Sequence, residues 1–188
     1  RRAIDYHTHT FGRPPAGLWP SEGPVCPELL PILGNAGIRW LATDEGILYR
    51  SLQMTDQAWN RQYHLYQPYA VGTATQPLTM LFRDREISDA FGFVYHKTTP
   101  ESAADDVLRR VRSLAYDIPL ENGIIAVILD GENPWEHYHD GGEQFLSLLF
   151  RAFEEDGLHI GHGIRVCMDT VSRALKAVPP TQRLDHLH

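Results

Sequence analysis

The sequence predicts an α/β fold with a parallel sheet, arranged as part of a (β/α) barrel. Short apolar segments rich in β-branched residues alternate with amphipathic segments, and nearly every short segment ends at charged residues. Strands that alternate with helices form parallel sheets with right-handed crossovers. The chain has 188 residues, whereas a closed eight-stranded barrel needs about 250. We therefore expect a single domain over residues 1–188 that lacks the first and last parts of a barrel.

The most informative segment is 124–129, six apolar residues that lead directly into Asp130 and Glu132. A short apolar segment that follows Asn122-Gly123 predicts a strand buried on both faces. Parallel α/β enzymes carry their catalytic groups just after the carboxyl ends of such strands. Asp130 and Glu132 are therefore expected at a catalytic rim.

The remaining elements repeat this arrangement. Residues 1–11 have apolar and aromatic side chains at helical spacing before Gly12, which favours a helix. Further strands are predicted at 17–19, 38–43, 77–82 and 164–168. Helices are predicted at 27–36 with a kink at Pro31, 88–93, from Thr99 onward, 143–155 and 171–178. The aromatic-rich stretch 46–72 predicts an irregular insertion, which either lines a cleft or packs as a loop.

A parallel sheet would bring the charged residues after its strands to one rim. These residues are Glu22, Asp44, Glu45, Arg83, Asp84, Asp130, Glu132 and Asp169. We expect Trp19, Trp40 and Trp135 to flank the same strand ends, where indole rings suit stacking on sugar rings. A glycosidase needs two carboxyl groups, one ionised to attack the anomeric carbon and one protonated to assist the leaving oxygen.

The net charge, the cysteine spacing and the length of the apolar runs exclude several classes of function. The formal net charge of −7 argues against binding to nucleic acid or to anionic membranes, both of which favour basic patches. Cys26 and Cys167 are far apart and form neither a disulfide framework nor a zinc motif, so we expect them to be buried. There is no signal peptide, and no apolar run reaches the roughly 18 residues of a membrane span, so we expect a cytoplasmic location.

Four blocks of the chain, taken together, resemble glycoside hydrolase family 57. They are GLWPSEG at 17–23, WLATDE at 40–45, LFRDREISD at 81–89 and LDGENPW at 129–135. The family contains α-amylases, amylopullulanases, 4-α-glucanotransferases and glycogen branching enzymes. A His-Gln-Pro block, a last motif and a C-terminal helical region, which the family also has, are not found in this sequence.

The resemblance implies an α/β fold that is an incomplete (β/α)7-type parallel barrel, and a retaining mechanism on α-glucans or maltooligosaccharides without a cofactor. It implies that Glu22 is the nucleophile and Asp130 the general acid/base. The residues implied as substrate-binding or supporting are Trp19, Trp40, Asp44, Glu45, Arg83, Glu132 and Trp135. Hydrolysis and transglycosylation share the same covalent intermediate, so the resemblance leaves both open.

Two alternatives belong to other classes. His7-Thr8-His9 resembles the first metal-binding strand of metal-dependent hydrolases, with Asp130, His137 and His139 as later ligands. Two imidazoles at i and i+2 share a face on a strand but not on a helix, so the helical spacing of residues 1–11 counts against this hypothesis. The other alternative is a noncatalytic carbohydrate-binding remnant of such an enzyme.

Overall fold

The computed structural model describes residues 1–54, 58–73, 75–119, 121–131, 133–154 and 156–188. The helices are α1 (Arg2–Phe11), α2 (Leu29–Asn35), α3 (Glu45–Gln53), α4 (Arg61–His64), α5 (Arg85–Phe93), α6 (Pro100–Asp117), α7 (Glu143–Arg151) and α8 (Val171–Ala177). The strands are β1 (Gly17–Leu18), β2 (Trp40–Asp44), β3 (Tyr69–Thr73), β4 (Gln76–Arg83), β5 (Leu158–Gly161), β6 (Ile164–Val166) and β7 (Gln182–Arg183). Short 3-10 turns lie at Tyr95–Lys97 and Asn133–His137.

The main sheet has the strand order β1-β2-β4-β3-β7. The β1–β2, β2–β4 and β3–β7 pairs are parallel, and only the β3–β4 pair is antiparallel. The α/β class with a mostly parallel sheet is thus confirmed. Because β1, β2 and β4 run in the same direction, the residues after all three strands lie at one edge of the sheet.

Several predicted helices are confirmed, with local reasons for their boundaries. Helix α6 begins as expected: the Thr99 side chain accepts a hydrogen bond of 3.2 Å from the Ser102 N–H, and Pro100 occupies the first turn. Helix α2 begins at Leu29, so Pro31 falls in its first turn, where its missing N–H removes no helical hydrogen bond. The predicted kink at Pro31 therefore has no cause in this helix.

The prediction of a regular strand at 124–129, buried on both faces, is wrong. These residues, all of which the structure describes, join no sheet ladder. Ala126 is buried, but Val127 is 39% exposed. The segment lies beyond the end of β4, where the chain turns into α5 and leaves little ladder to pair with.

The prediction for 164–168 also needs correction. Strand β6 pairs antiparallel with β5 in a separate two-stranded sheet, so it does not extend the parallel sheet. Strands β3 and β7 take the remaining places in the main sheet and were not predicted. The stretch 46–72 is likewise more regular than expected, because it contains most of α3, all of α4 and most of β3.

Two apolar cores support the fold. One packs α2 and α3 against the main sheet, with Leu41, Leu48 and Met80 fully buried. The other joins α5, α6 and α7 around Phe91 and Phe145. Cys26 and Cys167 are both exposed, contrary to expectation, because each lies in an irregular segment outside these cores. Among the described residues, the helices lack the combination of length and apolar character that crossing a bilayer requires.

Candidate active site

Glu22 lies in a constrained turn just after β1. It has a left-handed backbone with φ 60°, which is uncommon outside glycine and is concentrated at functional sites. The next residue, Gly23, is held on two sides. Its carbonyl accepts a 2.5 Å hydrogen bond from Thr43 Oγ1, and a Cβ at Gly23 would lie 2.7 Å from the Trp19 ring. The turn therefore fixes the Glu22 backbone while its side chain stays exposed.

Asp130 forms a hydrogen bond with Trp19. The indole Nε1 of Trp19 donates a 3.1 Å hydrogen bond to Asp130 Oδ1. Gly23 packs against the same indole, so Trp19 contacts both the turn that carries Glu22 and the carboxylate of Asp130. The structure thus brings the two predicted catalytic segments to one tryptophan.

A cavity of about 350 Å³ opens beside this contact. Its walls are mainly aromatic and aliphatic, with one carboxylate. The lining residues are Trp19, Trp40, Ala42, Val127, Ile128, Leu129, Asp130, Gly131, Trp135 and Val171. A mostly apolar cavity with a carboxyl group suits a ligand with apolar faces and a polar group that the carboxyl can orient.

Trp40 lines this cavity from a different position than expected. It is the first residue of β2, so it does not lie at the carboxyl end of the strand. Its ring lies over Gly17, where any Cβ would come within 2.0 Å of the ring carbons. Its Nε1 donates a 3.3 Å hydrogen bond to Ser172 Oγ in α8. Trp40 therefore lines the cavity from the amino-terminal end of β2, whereas Trp19 lines it from the residue after β1 and Trp135 from a 3-10 turn.

Asp44 holds the rim together through several donors. Its carboxylate accepts hydrogen bonds from the Gly46 N–H at 2.8 Å, from Arg83 Nε at 3.0 Å and from Arg85. Partial burial raises the pKa of Asp44, but hydrogen bonds from Arg85, the Gly46 N–H and Arg83 outweigh it and lower the pKa to about 2. These contacts give Asp44 a supporting place in the rim.

Arg83 connects Asp44 to the aromatic wall. Its guanidinium lies 5.9 Å from the centroid of the Trp19 ring, and its Nη2 is 2.9 Å from Asp89 Oδ1. An arginine on a tryptophan face adds a cation–π attraction. Arg83 thereby fixes the ring that also contacts Asp130.

Glu45 belongs to a second network that the sequence did not suggest. Arg61 Nη2 lies 2.9 Å from Glu45 Oε2 and 3.2 Å from Asp84 Oδ1, and Arg61 Nη1 donates to the Tyr66 hydroxyl at 2.7 Å. The Tyr66 hydroxyl in turn donates to Asp84 Oδ2 at 2.7 Å. Burial, followed by the Asp84 carboxylate, raises the pKa of Tyr66. Asn60, which caps α4 through the Tyr63 N–H, was the local signal that could have located Arg61 on a helix.

The structure places the other described charged residues that were predicted at the rim in different parts of the fold. Asp84 caps α5 by accepting a 3.0 Å hydrogen bond from the Ile87 N–H. Asp169 follows β6, which is outside the main sheet, and it pairs with Arg173 at 3.3 Å. Glu132 lies outside the described residues.

The metal hypothesis does not fit the geometry of its first two ligands. His7 and His9 both lie on α1, so their side chains point about 200° apart around the helix axis. His7 Nδ1 is also 3.1 Å from the Arg13 carbonyl. Within the described ranges, no three His, Cys, Asp or Glu side chains are grouped closely enough to hold a metal ion.

The arrangement defines a class: an α/β domain with a mostly parallel sheet, in which three tryptophans and a carboxyl group line one cavity. The chain is similar to the crystal structure of 4-α-glucanotransferase from Thermococcus litoralis, with a TM-score of 0.70 and 17% identity, covering 98% of this chain and 26% of that one. It is also similar to the α-amylase AmyC from Thermotoga maritima, with a TM-score of 0.72 and 15% identity, covering 97% of this chain and 45% of that one.

Residues 1–185 match the model of Glycosyl hydrolase family 57, and the chain belongs to this family. The comparison with curated protein sequences gives no match. The chain spans less than half the length of either structural relative, and its fold is a fragment of their (β/α)7-type barrel.

Proposed function

We propose that the protein acts on α-1,4-linked glucans as a retaining glycoside hydrolase or glucanotransferase. The single observation that carries this proposal is the hydrogen bond between Trp19 and Asp130 at the edge of an aromatic cavity. The Asp130 carboxyl group lies beside a cavity lined by indole rings, and this supports the proposal because indoles suit sugar binding and a carboxyl group suits glycosidic cleavage. Membership of the family supports the same reaction class.

In this proposal Glu22 attacks the anomeric carbon, and a covalent glycosyl-enzyme forms as the glycosidic bond breaks. Asp130 gives its proton to the leaving oxygen. It then takes a proton from water or from an acceptor sugar hydroxyl, which releases the product with its anomeric configuration retained. Trp19, Trp40 and Trp135 would stack on the sugar rings, and Glu132 would make a further contact with the substrate.

The first test is turnover of maltoheptaose, with products separated by length and their anomeric form followed by NMR. Shorter products would indicate hydrolysis, whereas products longer than the substrate would indicate transfer. An initial α-anomer supports retention, and an initial β-anomer would contradict it. Asp130→Asn should slow the reaction by about 10²–10⁴-fold. Asp185→Asn, at an exposed aspartate paired with Arg183, serves as the matched control.

The same experiment separates the two alternatives. Binding of maltoheptaose without any turnover would identify a noncatalytic carbohydrate-binding remnant. Activity that is lost on treatment with a chelator and restored by a divalent metal would support the metal-dependent hydrolase.

A further inference from the structure

The segment that leads to Asp130 is held by three separate hydrogen bonds. The Ile124 N–H donates to the Tyr66 carbonyl at 2.8 Å, and the Asp84 N–H donates to the Ala126 carbonyl at 2.8 Å. The Ile128 N–H then donates to the side chain of Ser88, at 3.1 Å from Oγ. Alternate residues of an extended chain direct their backbone groups to the same edge, so all three bonds hold the same edge of the segment.

Ser88 replaces a missing backbone acceptor. In a parallel ladder with the register of the Asp84–Ala126 bond, the Ile128 N–H would donate to the carbonyl of Asp84. That carbonyl already accepts a 3.0 Å hydrogen bond from the Ser88 N–H in the first turn of α5. The Ser88 hydroxyl, which belongs to a residue only 2% exposed, accepts the Ile128 N–H instead. Without it, the last hydrogen-bonded backbone group before Asp130 in the described part of the chain would be the Ala126 carbonyl.

We propose that Ser88 is a positioning residue for Asp130, an inference that rests on the acid/base role proposed above. Ser88 fixes the backbone two residues before Asp130, and Trp19 fixes the carboxylate itself. Asp130 is thereby supported through its backbone by a residue of α5 and through its carboxyl group by the residue that follows β1. Loss of the Ser88 oxygen lets the segment move away from Trp19.

The test uses the indole N–H of Trp19 as a reporter, because its proton lies in the hydrogen bond to Asp130. Ser88→Ala removes the acceptor, and we expect the ¹H–¹⁵N indole resonance of Trp19 to shift and broaden. Ser88→Thr keeps the hydroxyl and should restore the resonance. Ser51→Ala is the matched control, since Ser51 is as buried as Ser88 and accepts the distant His188 N–H.

Three results would overturn the proposal. The first is a Trp19 resonance that does not change in Ser88→Ala. The second is a shift in Ser88→Thr as large as that in Ser88→Ala, because the effect would then come from a changed side-chain volume and not from the lost hydroxyl. If Ser88→Ala does not fold, amide hydrogen exchange of the unaltered protein decides. A protected Ile128 N–H supports the proposal, and an Ile128 N–H that exchanges as fast as an exposed amide contradicts it.

Steady-state kinetics of Ser88→Ala would distinguish a failure of the positioning role of Ser88 from a failure of the acid/base role of Asp130. In an active preparation, Ser88→Ala should lower kcat on maltoheptaose by about tenfold, with little change in KM, because the acid is displaced while the sugar-binding walls remain. The loss should be smaller on a glucoside with an activated aryl leaving group. A shifted Trp19 resonance with unchanged kinetics would support positioning by Ser88 but contradict the acid/base role of Asp130.

Discussion

The indole N–H of Trp19 and the carboxylate of Asp130 form a hydrogen bond between two positions 111 residues apart. Trp19→Phe keeps an aromatic ring in the cavity wall but removes the donor. We expect kcat on maltoheptaose to fall by about tenfold, which corresponds to roughly 1.4 kcal/mol, within the range of about 0.5–1.5 kcal/mol for a typical intramolecular hydrogen bond. Affinity for the glucan should change little, because ring stacking survives.

Steady-state kinetics and calorimetric titration with maltoheptaose would measure the two quantities. Trp59→Phe is the control, because Trp59 packs with Tyr49 and His64 and is not one of the described residues that line the cavity. An equal loss of kcat in both variants would argue that the effect is general destabilisation.

A covalent trap would identify the nucleophile. A 5-fluoro-α-glucosyl fluoride forms a slowly hydrolysed glycosyl-enzyme, and we expect peptide mass spectrometry to place the label on Glu22. Glu22→Gln should abolish labelling and turnover while its unfolding curve remains like that of the unaltered protein.

Glu45 is the necessary comparison, because it is the other glutamate described at this rim and its carboxylate is paired with Arg61. A label on Glu45 would reassign the nucleophile to that residue. Glu28→Gln, at an exposed glutamate before α2, should label normally.

Asp44 gives a prediction for stability against pH. Its pKa is lowered to about 2 in the folded protein, against about 3.9 for an unperturbed aspartate. Since the folded-state pKa is the lower one, the stabilisation is complete above about pH 4 and is lost as the pH falls toward 2. Asp44→Asn should therefore reduce the free energy of unfolding by about 2 kcal/mol at pH 7, and by progressively less in acid.

Urea unfolding at pH 7, 4 and 2.5 would measure this difference. Asp185→Asn, whose partner Arg183 is exposed, should show almost no difference at any pH. A difference for Asp44→Asn that stays constant down to pH 2.5 would rule out ionisation as its source.

A substitution at Gly17 would test how closely Trp40 packs beside the cavity. Gly17→Ala would place a Cβ about 2.0 Å from the Trp40 ring, so the ring must move. We expect a loss of about 1–3 kcal/mol in unfolding free energy, typical of overpacking, together with altered tryptophan fluorescence and weaker glucan binding. Gly92→Ala is the control, because nothing lies within 4 Å of a Cβ there and alanine favours a helix. Equal stability changes in the two variants would contradict the close packing.

The sequence predicted what is set locally. Strands β1, β2 and β4 come from short, mainly apolar segments that are followed by charged residues. Helix α6 begins with a threonine cap and a proline that are both visible in the sequence. The course of 124–130 could not be predicted, because it depends on the Asp84 carbonyl being occupied by the first turn of α5. The β5–β6 hairpin did leave a signal, since the two glycines of Gly161-His162-Gly163 indicate a turn between strands. All three residues have positive φ in the structure.

For the site, the residue types and their strand-end positions identified Trp19, Trp135 and Asp130, which do line one cavity. The role of Arg61 was hidden, because its partners Glu45, Tyr66 and Asp84 come from three different elements and no sequence spacing connects them. Trp40 was expected at the carboxyl ends of the strands, whereas it is the first residue of β2. Its ring reaches the cavity because it packs over Gly17 of the neighbouring strand, a contact that no sequence spacing indicates.

The antiparallel β3–β4 pair has a consequence for the order in which the protein folds. Its partners are close in sequence, from Thr73 with Gln76 to Tyr69 with Met80, so pairing requires only a short loop to close. The Trp19–Asp130 contact closes a loop of 111 residues, which is slower and entropically more costly. In pulse-labelling hydrogen exchange we therefore expect the amides of this hairpin to gain protection before the Trp19 indole. The cavity would then be a late-forming part of a fold that nucleates elsewhere.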